Sequence, residues 1–290
     1  MKEFLKKIHT DSFRWHDSIF LLLIIFYAII IVGDILSGII WTAFEKIGGY
    51  TPLSGVAGMY YGFLAWWIVI ILLCLVVKKY RFIPGTFFKG MKGNNWKMFL
   101  VGLLAGFVMN GICIVAAILN KDIALYFDSF KPLPLLFLLA GVVIQSGAEE
   151  ILCRGFVYQH LLRSYRNPLV AIVMNALIFA ALHLSNPGVT RVAIVNIALV
   201  GIFFSLLVYY FDSIWAAIAA HAAWNYTQNI IAGLPNSGIV TPVSIFKLDV
   251  ASATDSFFYN VAFGVEGTLM ASIVIIVAGV VVCVVGKRKK

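Results

Sequence analysis

The chain has 290 residues, of which 62% are hydrophobic and only 12% are charged. This composition is that of a multi-spanning membrane protein, because several apolar runs approach or exceed the roughly 20 residues with which a helix crosses a bilayer. The formal net charge of +9 comes from basic clusters beside those runs. It therefore indicates contact with anionic lipid rather than with nucleic acid.

Hydropathy predicts an all-α polytopic bundle with about eight transmembrane helices. The predicted ranges are 18–38, 56–78, 97–119, 132–163, 168–185, 191–211, 213–232 and 268–286. The first apolar run continues past Val32 without a short core and a cleavage site, so we expect the first helix to be retained. The segment 233–267 is predicted to be an extracytoplasmic loop.

The predicted helices divide the chain into three parts. Residues 1–131 hold three N-terminal spans and a basic cytoplasmic loop, and residues 132–232 hold four spans. Residues 233–290 hold the extracytoplasmic loop and the last span.

Basic residues cluster on one side of the predicted membrane. The cluster on that side comprises Lys2, Lys6, Lys7, Arg14, Lys78, Lys79, Arg81, Lys89, Lys92, Lys97, Arg163, Arg166, Lys287, Arg288, Lys289 and Lys290. The opposite loops carry fewer basic residues, so the positive-inside rule predicts that both termini are cytoplasmic. We expect the membrane to be a prokaryotic plasma membrane.

The four cysteines lie within or beside predicted spans and show no CxxC spacing. They are Cys74, Cys113, Cys153 and Cys283. We interpret them as small buried apolar residues rather than as disulfide partners or metal ligands.

Three groups of polar residues interrupt the predicted spans, where lipid offers no hydrogen-bond partner. The groups are Glu149, Glu150 and Arg154 in the fourth span, His183 near the end of the fifth, and His221 and Asn225 in the seventh. Asp34 and Asn110 are isolated polar residues to which the pattern assigns no role.

Helical spacing separates the two adjacent carboxylates. Residues four apart lie on one helix face, so Glu150 is predicted to pair with Arg154 as a charge-neutralised support. Glu149 is turned away by about 100° and lacks that partner, so we expect it to face a cavity and hold a water. His221 and Asn225 are also four apart and are predicted to point to the same place.

The estimated depths of these polar groups in the membrane are similar. At about 1.5 Å per residue from the cytoplasmic helix ends, Glu149 lies at about 21 Å and His183 at about 22 Å. His221 and Asn225 lie at about 12 and 18 Å by the same count. The overlap predicts a single site.

A carboxylate, two histidines and an amide in one cavity suit peptide-bond hydrolysis. That reaction needs a base to deprotonate water and donors to stabilise the tetrahedral oxyanion. Glu149, polarised by His183, is the predicted base, and His221 and Asn225 are the predicted oxyanion donors.

These residues resemble the motifs of a known family. Glu149-Glu150-x-x-x-Arg154, Phe179-x-x-x-His183 and His221-x-x-x-Asn225 stand in that order on three hydrophobic segments. They are similar to the CPBP or ABI family of intramembrane endopeptidases, which includes CAAX prenyl-protein proteases and bacteriocin-processing or self-immunity proteins. Over residues 132–232 the resemblance implies a helical membrane protease whose catalytic residues are Glu149, His183, His221 and Asn225, with Glu150 and Arg154 in support.

The sequence is compatible with a metal-dependent and with a metal-free mechanism. Glu149, His183 and His221 together would make an open His2Glu zinc site. However, no HExxH motif is present, and a glutamate-activated water needs no ion. We therefore expect no cofactor and keep zinc as the alternative.

The expected partners are the lipid bilayer and a membrane-associated peptide or protein substrate, with no nucleic acid. One alternative is a non-proteolytic immunity or regulatory scaffold of the same fold, which has no need for two histidines and Asn225. Another is a transporter with Glu149 and the histidines as a proton relay. The chain lacks the repeated, broken half-helices of many transporters.

Overall fold

A computed structural model describes residues 8–88 and 90–287 and shows an all-α bundle of membrane helices. In this part of the chain, six helical segments are long and apolar enough to cross a membrane. They are Ile19–Gly48, Pro52–Val76, Trp96–Leu119, Pro132–Ser164, Arg191–Phe211 and Leu269–Gly286. The predicted polytopic all-α class is confirmed.

Helices occur at all eight predicted positions. They are α1 (Ile19–Gly48), α2 (Pro52–Tyr61), α3 (Leu64–Val76), α4 (Phe82–Phe87), α5 (Trp96–Leu119), α6 (Pro132–Glu150), α7 (Tyr158–Ser164), α8 (Pro168–Ala181), α9 (Arg191–Phe211), α10 (Ile214–Asn225) and α11 (Leu269–Lys287). A π-helical turn, Ile151–Val157, joins α6 to α7, and a second, Tyr226–Ile231, extends α10. Two of the eight, α8 and α10, are shorter than the six long spans.

Polar residues beside the apolar runs determine where several helices begin. The side chains of Asn95, Thr190 and Ser213 accept hydrogen bonds from backbone N–H groups in the first turns of α5, α9 and α10. Pro132 and Pro168 occupy the first positions of α6 and α8, where the missing N–H costs nothing. These local signals explain why helix starts agree with the predicted ones.

Helix ends differ more from the prediction. Helix α1 continues about ten residues beyond the predicted end and stops at Gly49, whose φ of 72° breaks the helix. The second span is divided near Gly62 into α2 and α3. Helix α8 ends at Ala181 instead of 185, because Leu182 and His183 bond three residues back rather than four.

Helix α10 lies at the centre of the bundle, with every residue from Ala216 to Asn225 buried. Helix α5 packs closely along it, because a Cβ added at Gly102 or Gly106 would collide with the α10 backbone carbonyls of Ala216 and Ala220. The glycines thus allow the contact that holds α10 in the interior. This packing removes the polar residues of α10 from lipid.

The loop after α10 is ordered against the ends of the helices. Its strand β2 (Phe246–Leu248) pairs antiparallel with β1 (Leu125–Phe127), which lies between α5 and α6. Tyr259 and Phe263 of the same loop are fully buried. The sequence did not predict this strand pair.

Several residues used to predict the orientation lie outside the described part of the chain, namely Lys2, Lys6, Lys7, Lys89, Arg288, Lys289 and Lys290. The cytoplasmic placement of the termini and the three-part division of the chain therefore stay predictions. Cys74, Cys113 and Cys153 are buried as predicted, Cys283 is partly buried, and all four thiols are free.

Candidate active site

A partly open cavity of about 330 Å³ is lined by Glu149, His183, His221 and Asn225. The structure thus brings together the four residues that were predicted to share a site. Phe63, Trp66, Ile197, Phe204 and Ile275 are among its apolar lining residues. A mostly apolar wall with a few convergent polar groups is the usual form of a small ligand site.

The motif from Glu149 to Arg154 and the motif from His221 to Asn225 each lie where an α-helix changes to a π-helical turn. Glu150 is the last residue of α6, and the π-helical turn that follows includes Arg154. Asn225 is the last residue of α10, and a π-helical turn follows it directly. Turns of this kind are rare in proteins overall, and those that occur are often found at functional sites. Both motifs therefore lie where the backbone departs from a regular α-helix.

Glu150 and Arg154 form the predicted pair, with Arg154 Nη1 3.0 Å from Glu150 Oε1 and both side chains fully buried. Arg154 also donates from Nη2 to the Gly201 carbonyl at 3.0 Å. Its guanidinium lies 4.5 Å from the ring centroid of Phe179 and 5.2 Å from that of Phe204. The cation is therefore held by a carboxylate, a carbonyl and two aromatic faces.

Glu150 has a second contact that the sequence did not predict. Its Oε1 lies 3.0 Å from Nδ1 of His221, in a helix 71 residues further along the chain. Because the Arg154-paired carboxylate accepts hydrogen bonds, Nδ1 of His221 carries the proton in this contact. The ring is also stacked on Phe204, with centroids 5.2 Å apart. Glu150 therefore orients His221 as well as neutralising Arg154.

Glu149 has one satisfied oxygen and one free oxygen. Oε1 accepts from Nε2 of Gln145 at 2.5 Å. Oε2 is buried without a hydrogen-bond partner and lies 3.8 Å from Nε2 of His221. Since a buried carboxylate oxygen without a hydrogen bond is costly, Oε2 is the atom of Glu149 that is placed to accept a hydrogen bond from a polar group in the cavity.

His183 lies two residues beyond the end of α8, in a tight turn. Its Nδ1 donates to the Phe179 carbonyl at 3.0 Å, and its ring packs on the Phe179 ring with centroids 5.0 Å apart. A carbonyl only accepts, so Nδ1 holds the proton and Nε2 is left for the cavity. His183 takes this position because α8 ends at Ala181 and the chain turns before His183.

The amide of Asn225 is fixed at both ends. Its Nδ2 donates to Gln145 Oε1 at 3.2 Å, and its Oδ1 accepts from Asn236 Nδ2 at 3.3 Å. One N–H of Asn225 remains unused. Gln145 stands four residues before Glu149 on α6, so helical spacing could have identified it, whereas Asn236 belongs to the loop after α10 and carries no such signal.

A third carboxyl group reaches the cavity from the turn before α11. Glu266 lies outside the long spans, is 8% exposed and accepts from the backbone N–H of Ser237. Burial raises the pKa of Glu266 to about 7, against the opposing effect of hydrogen bonds from Ser237 and Trp224. This loop residue was not predicted.

The residues offered for zinc fit in chemistry but not in arrangement. Nδ1 of His183 and Nδ1 of His221 are held by oxygen atoms, as is common for zinc-bound histidines. However, across residues 8–88 and 90–287, no three His, Cys, Asp or Glu side chains converge closely enough to hold a metal ion. We therefore derive no step through a metal.

Comparison with known proteins supports the resemblance. Residues 131–227 match the family model described as Rce1-like, type II CAAX prenyl endopeptidase, and this interval contains all three motifs. The uncharacterized protein YyaK of Bacillus subtilis (strain 168) is 26% identical over 163 residues, which are 51% of this chain and 54% of YyaK. The chain thus spans about half the length of this curated relative, and no solved structure matches it. The predicted family resemblance is confirmed.

Proposed function

Because residues 131–227 match the Rce1-like family, we propose that the protein is an integral-membrane endopeptidase of the CAAX-protease type. It hydrolyses a peptide bond of a membrane-associated peptide or protein. The observation that carries the proposal is the buried, unpartnered Oε2 of Glu149, which faces Nε2 of His221 across 3.8 Å in the cavity.

The nucleophile in this mechanism is a water held by Glu149. Atoms 3.8 Å apart can both contact one water at about 2.8 Å. The water donates one proton to Oε2 of Glu149 as its oxygen forms a bond to the scissile carbonyl carbon. His183, in the same cavity, completes the polar surroundings of the water.

The carbonyl oxygen then becomes an oxyanion that needs donors. Asn225 supplies its unused N–H, and its bonds to Gln145 and Asn236 keep the amide from turning. His221 directs Nε2 toward the same place, because the Glu150 carboxylate 3.0 Å from Nδ1 fixes the orientation of its ring. Donors held in advance at this place are a major source of rate enhancement.

The reaction is completed when the C–N bond of the tetrahedral intermediate breaks. Glu149 returns the proton to the leaving amine nitrogen, and the oxyanion re-forms a carbonyl as part of the new carboxyl group. Glu150 and Arg154 act as positioning residues, because Glu150 holds His221 and Arg154 balances the charge of Glu150.

We propose that no metal takes part, since Glu149 and the two histidines do not converge as a metal-binding group. Metal analysis of the purified protein together with chelation tests this point. Stoichiometric zinc and a reversible loss of activity on chelation would show that the metal-free mechanism is wrong.

The proposed location is a prokaryotic plasma membrane with both termini in the cytoplasm. The Bacillus relative supports the prokaryotic source. Reporter fusions at both termini, read for cytoplasmic or external activity, test the orientation.

Substitution of Glu149 tests the proposed activity. Cells that lack the gene are complemented at equal membrane levels with wild type, Glu149→Gln or His183→Ala, and the N-termini of membrane proteins are compared by mass spectrometry. We expect wild type to generate new N-termini, and Glu149→Gln to reduce their rate of formation by about 100- to 10,000-fold, the usual contribution of a general base.

Glu45→Gln is the matched control, because Glu45 lies near the end of α1 and does not line the cavity. It should act like wild type. Identical N-termini from wild type, Glu149→Gln and His183→Ala would contradict proteolysis and favour the scaffold. Proton-coupled uptake into vesicles that is lost in Glu149→Gln would favour transport.

A further inference from the structure

The cavity is acidic as well as apolar. Its described lining includes the carboxyl groups of Asp34, Glu149 and Glu266, and no lysine or arginine. Oε2 of Glu149, a residue only 8% exposed, faces this space without a hydrogen-bond partner. A carboxylate without a cation at membrane depth is costly, so an occupant with positive charge would gain most from this lining.

Asp34 lies within the apolar helix α1 and lines the same cavity as Glu149. It is 15 residues from the start of α1, about 22 Å along the helix, and so lies well inside the span. Because both carboxylates line one cavity, an occupant of that cavity can contact Asp34 and Glu149 at once.

Two aromatic residues of the cavity lining, Trp66 and Phe63, lie beside Asp34. Nε1 of Trp66 donates to Oδ1 of Asp34 at 2.9 Å, and Phe63 packs on Trp66 with ring centroids 5.1 Å apart. Gly33 permits this approach, since an added Cβ would collide with the Trp66 ring. Asp34 itself remains exposed, and no ion pair reaches it within the part of the chain that the structure describes.

We propose that Asp34, Trp66 and Phe63 form a subsite for a positively charged group of the substrate, namely a lysine or arginine side chain. The carboxylate supplies the counter-charge, and the two aromatic rings can bind the alkyl stem and the cation. The subsite rests on the proposed function, because it assigns the substrate of the same cavity. Peptides that carry lysine or arginine near the cleaved bond are then the preferred class.

A binding experiment tests the subsite without catalysis. The full chain carrying Glu149→Gln is embedded in nanodiscs and titrated with fluorescent, N-acetylated and C-amidated apolar octapeptides that differ at one central position. We expect peptides with Lys or Arg there to bind about 10- to 100-fold more tightly than those with Gln, the range for a hydrogen bond to a charged group. Peptides with Glu should bind most weakly.

Variants identify the residue responsible. Asp34→Asn retains the acceptor for Trp66 and should abolish the preference for Lys over Gln. Asp128→Asn, in an exposed loop away from the cavity, is the matched control and should leave the preference unchanged. Asp34→Lys should reverse the order so that Glu peptides bind best.

Equal binding of Lys and Gln peptides, or a preference that survives in Asp34→Asn, would overturn the subsite. A Gln peptide with a free N-terminal amine that binds as tightly as the acetylated Lys peptide would assign the cation to a chain terminus instead of a side chain. If the Lys preference is found but wild type cleaves no peptide, the subsite stands and the proposed protease activity fails.

Discussion

Two helical regions carry carboxylates within apolar spans, but the surroundings of these carboxylates differ. In α1 the most apolar stretch is 22% buried, and Asp34 is exposed beside Trp66. In the segment from α6 to α7 the corresponding stretch is 67% buried, and Glu150 is fully buried with Arg154 and His221. The comparison shows that a position within an apolar span does not by itself decide what a carboxylate does.

Burial and the number of partners explain the difference. A fully buried charge is stable only when its partners remove the desolvation cost, and Glu150 has two at 3.0 Å. A charge on a cavity wall can keep contact with water or ligand and needs fewer protein partners. We therefore expect mutations in the buried region to affect folding and those on the cavity wall to affect ligands.

The largest effect is expected for Arg154→Met. This change leaves Glu150 buried without its cation and should lower the free energy of unfolding by about 3–5 kcal/mol. Unfolding in detergent micelles, followed by tryptophan fluorescence, measures the loss. The double variant Glu150→Gln/Arg154→Met should recover much of it, because no unpaired charge remains.

Lys247→Met is the matched control for this prediction. Lys247 pairs with Asp128 at 3.1 Å with both side chains about one third exposed, and such pairs contribute less than about 1 kcal/mol. Equal losses in Arg154→Met and Lys247→Met would show that burial does not separate the two classes of charge.

An intermediate, pH-dependent effect is expected for Glu266. Its pKa is raised from 4.5 to about 7 in the folded protein, so the folded state retains a proton that the unfolded state releases. The stability from this group is therefore present at low pH and is lost as pH rises from about 4.5 to about 7, by about 3 kcal/mol at most.

Thermal unfolding of wild type and Glu266→Gln between pH 5 and pH 8 tests the prediction. Wild type should lose stability relative to Glu266→Gln as pH rises, since the amide does not titrate. Parallel curves for the two proteins would argue against a raised pKa at this position.

The smallest effect on folding is expected for Asp34→Asn. The amide oxygen can still accept from Trp66, and removal of an exposed charge with no ion pair among the described residues should change the free energy of unfolding by less than about 1 kcal/mol. The same micelle assay measures it. A loss as large as that of Arg154→Met would assign Asp34 a structural role and would contradict the distinction between the two regions.

The spans and the Glu150–Arg154 pair could be predicted because they depend on local properties. A run of apolar residues defines a span by itself, and residues four apart on a helix meet whatever else surrounds them. The depth count also placed Glu149, His183, His221 and Asn225 together, because rise per residue is nearly constant in helices. The roles of these residues stay predictions until the variants are tested.

Other parts of the site could not be predicted, because they depend on contacts between distant segments. The bond from His221 to Glu150 joins helices 71 residues apart, and Asn236 and Glu266 reach the cavity from a loop whose sequence has no periodic pattern. The π-helical turns after Glu150 and Asn225 also leave no mark in the hydropathy.

The sequence by itself therefore determined a polytopic helical membrane protein and the set of polar residues that lie at one depth, since hydropathy and helical spacing are local. Only the tertiary structure decided which oxygen of Glu149 is free, which ring nitrogen of His221 carries its proton, and that Asp34 shares the cavity. Those features depend on how helices and loops pack, and packing sets the hydrogen-bond partners and burial of each group.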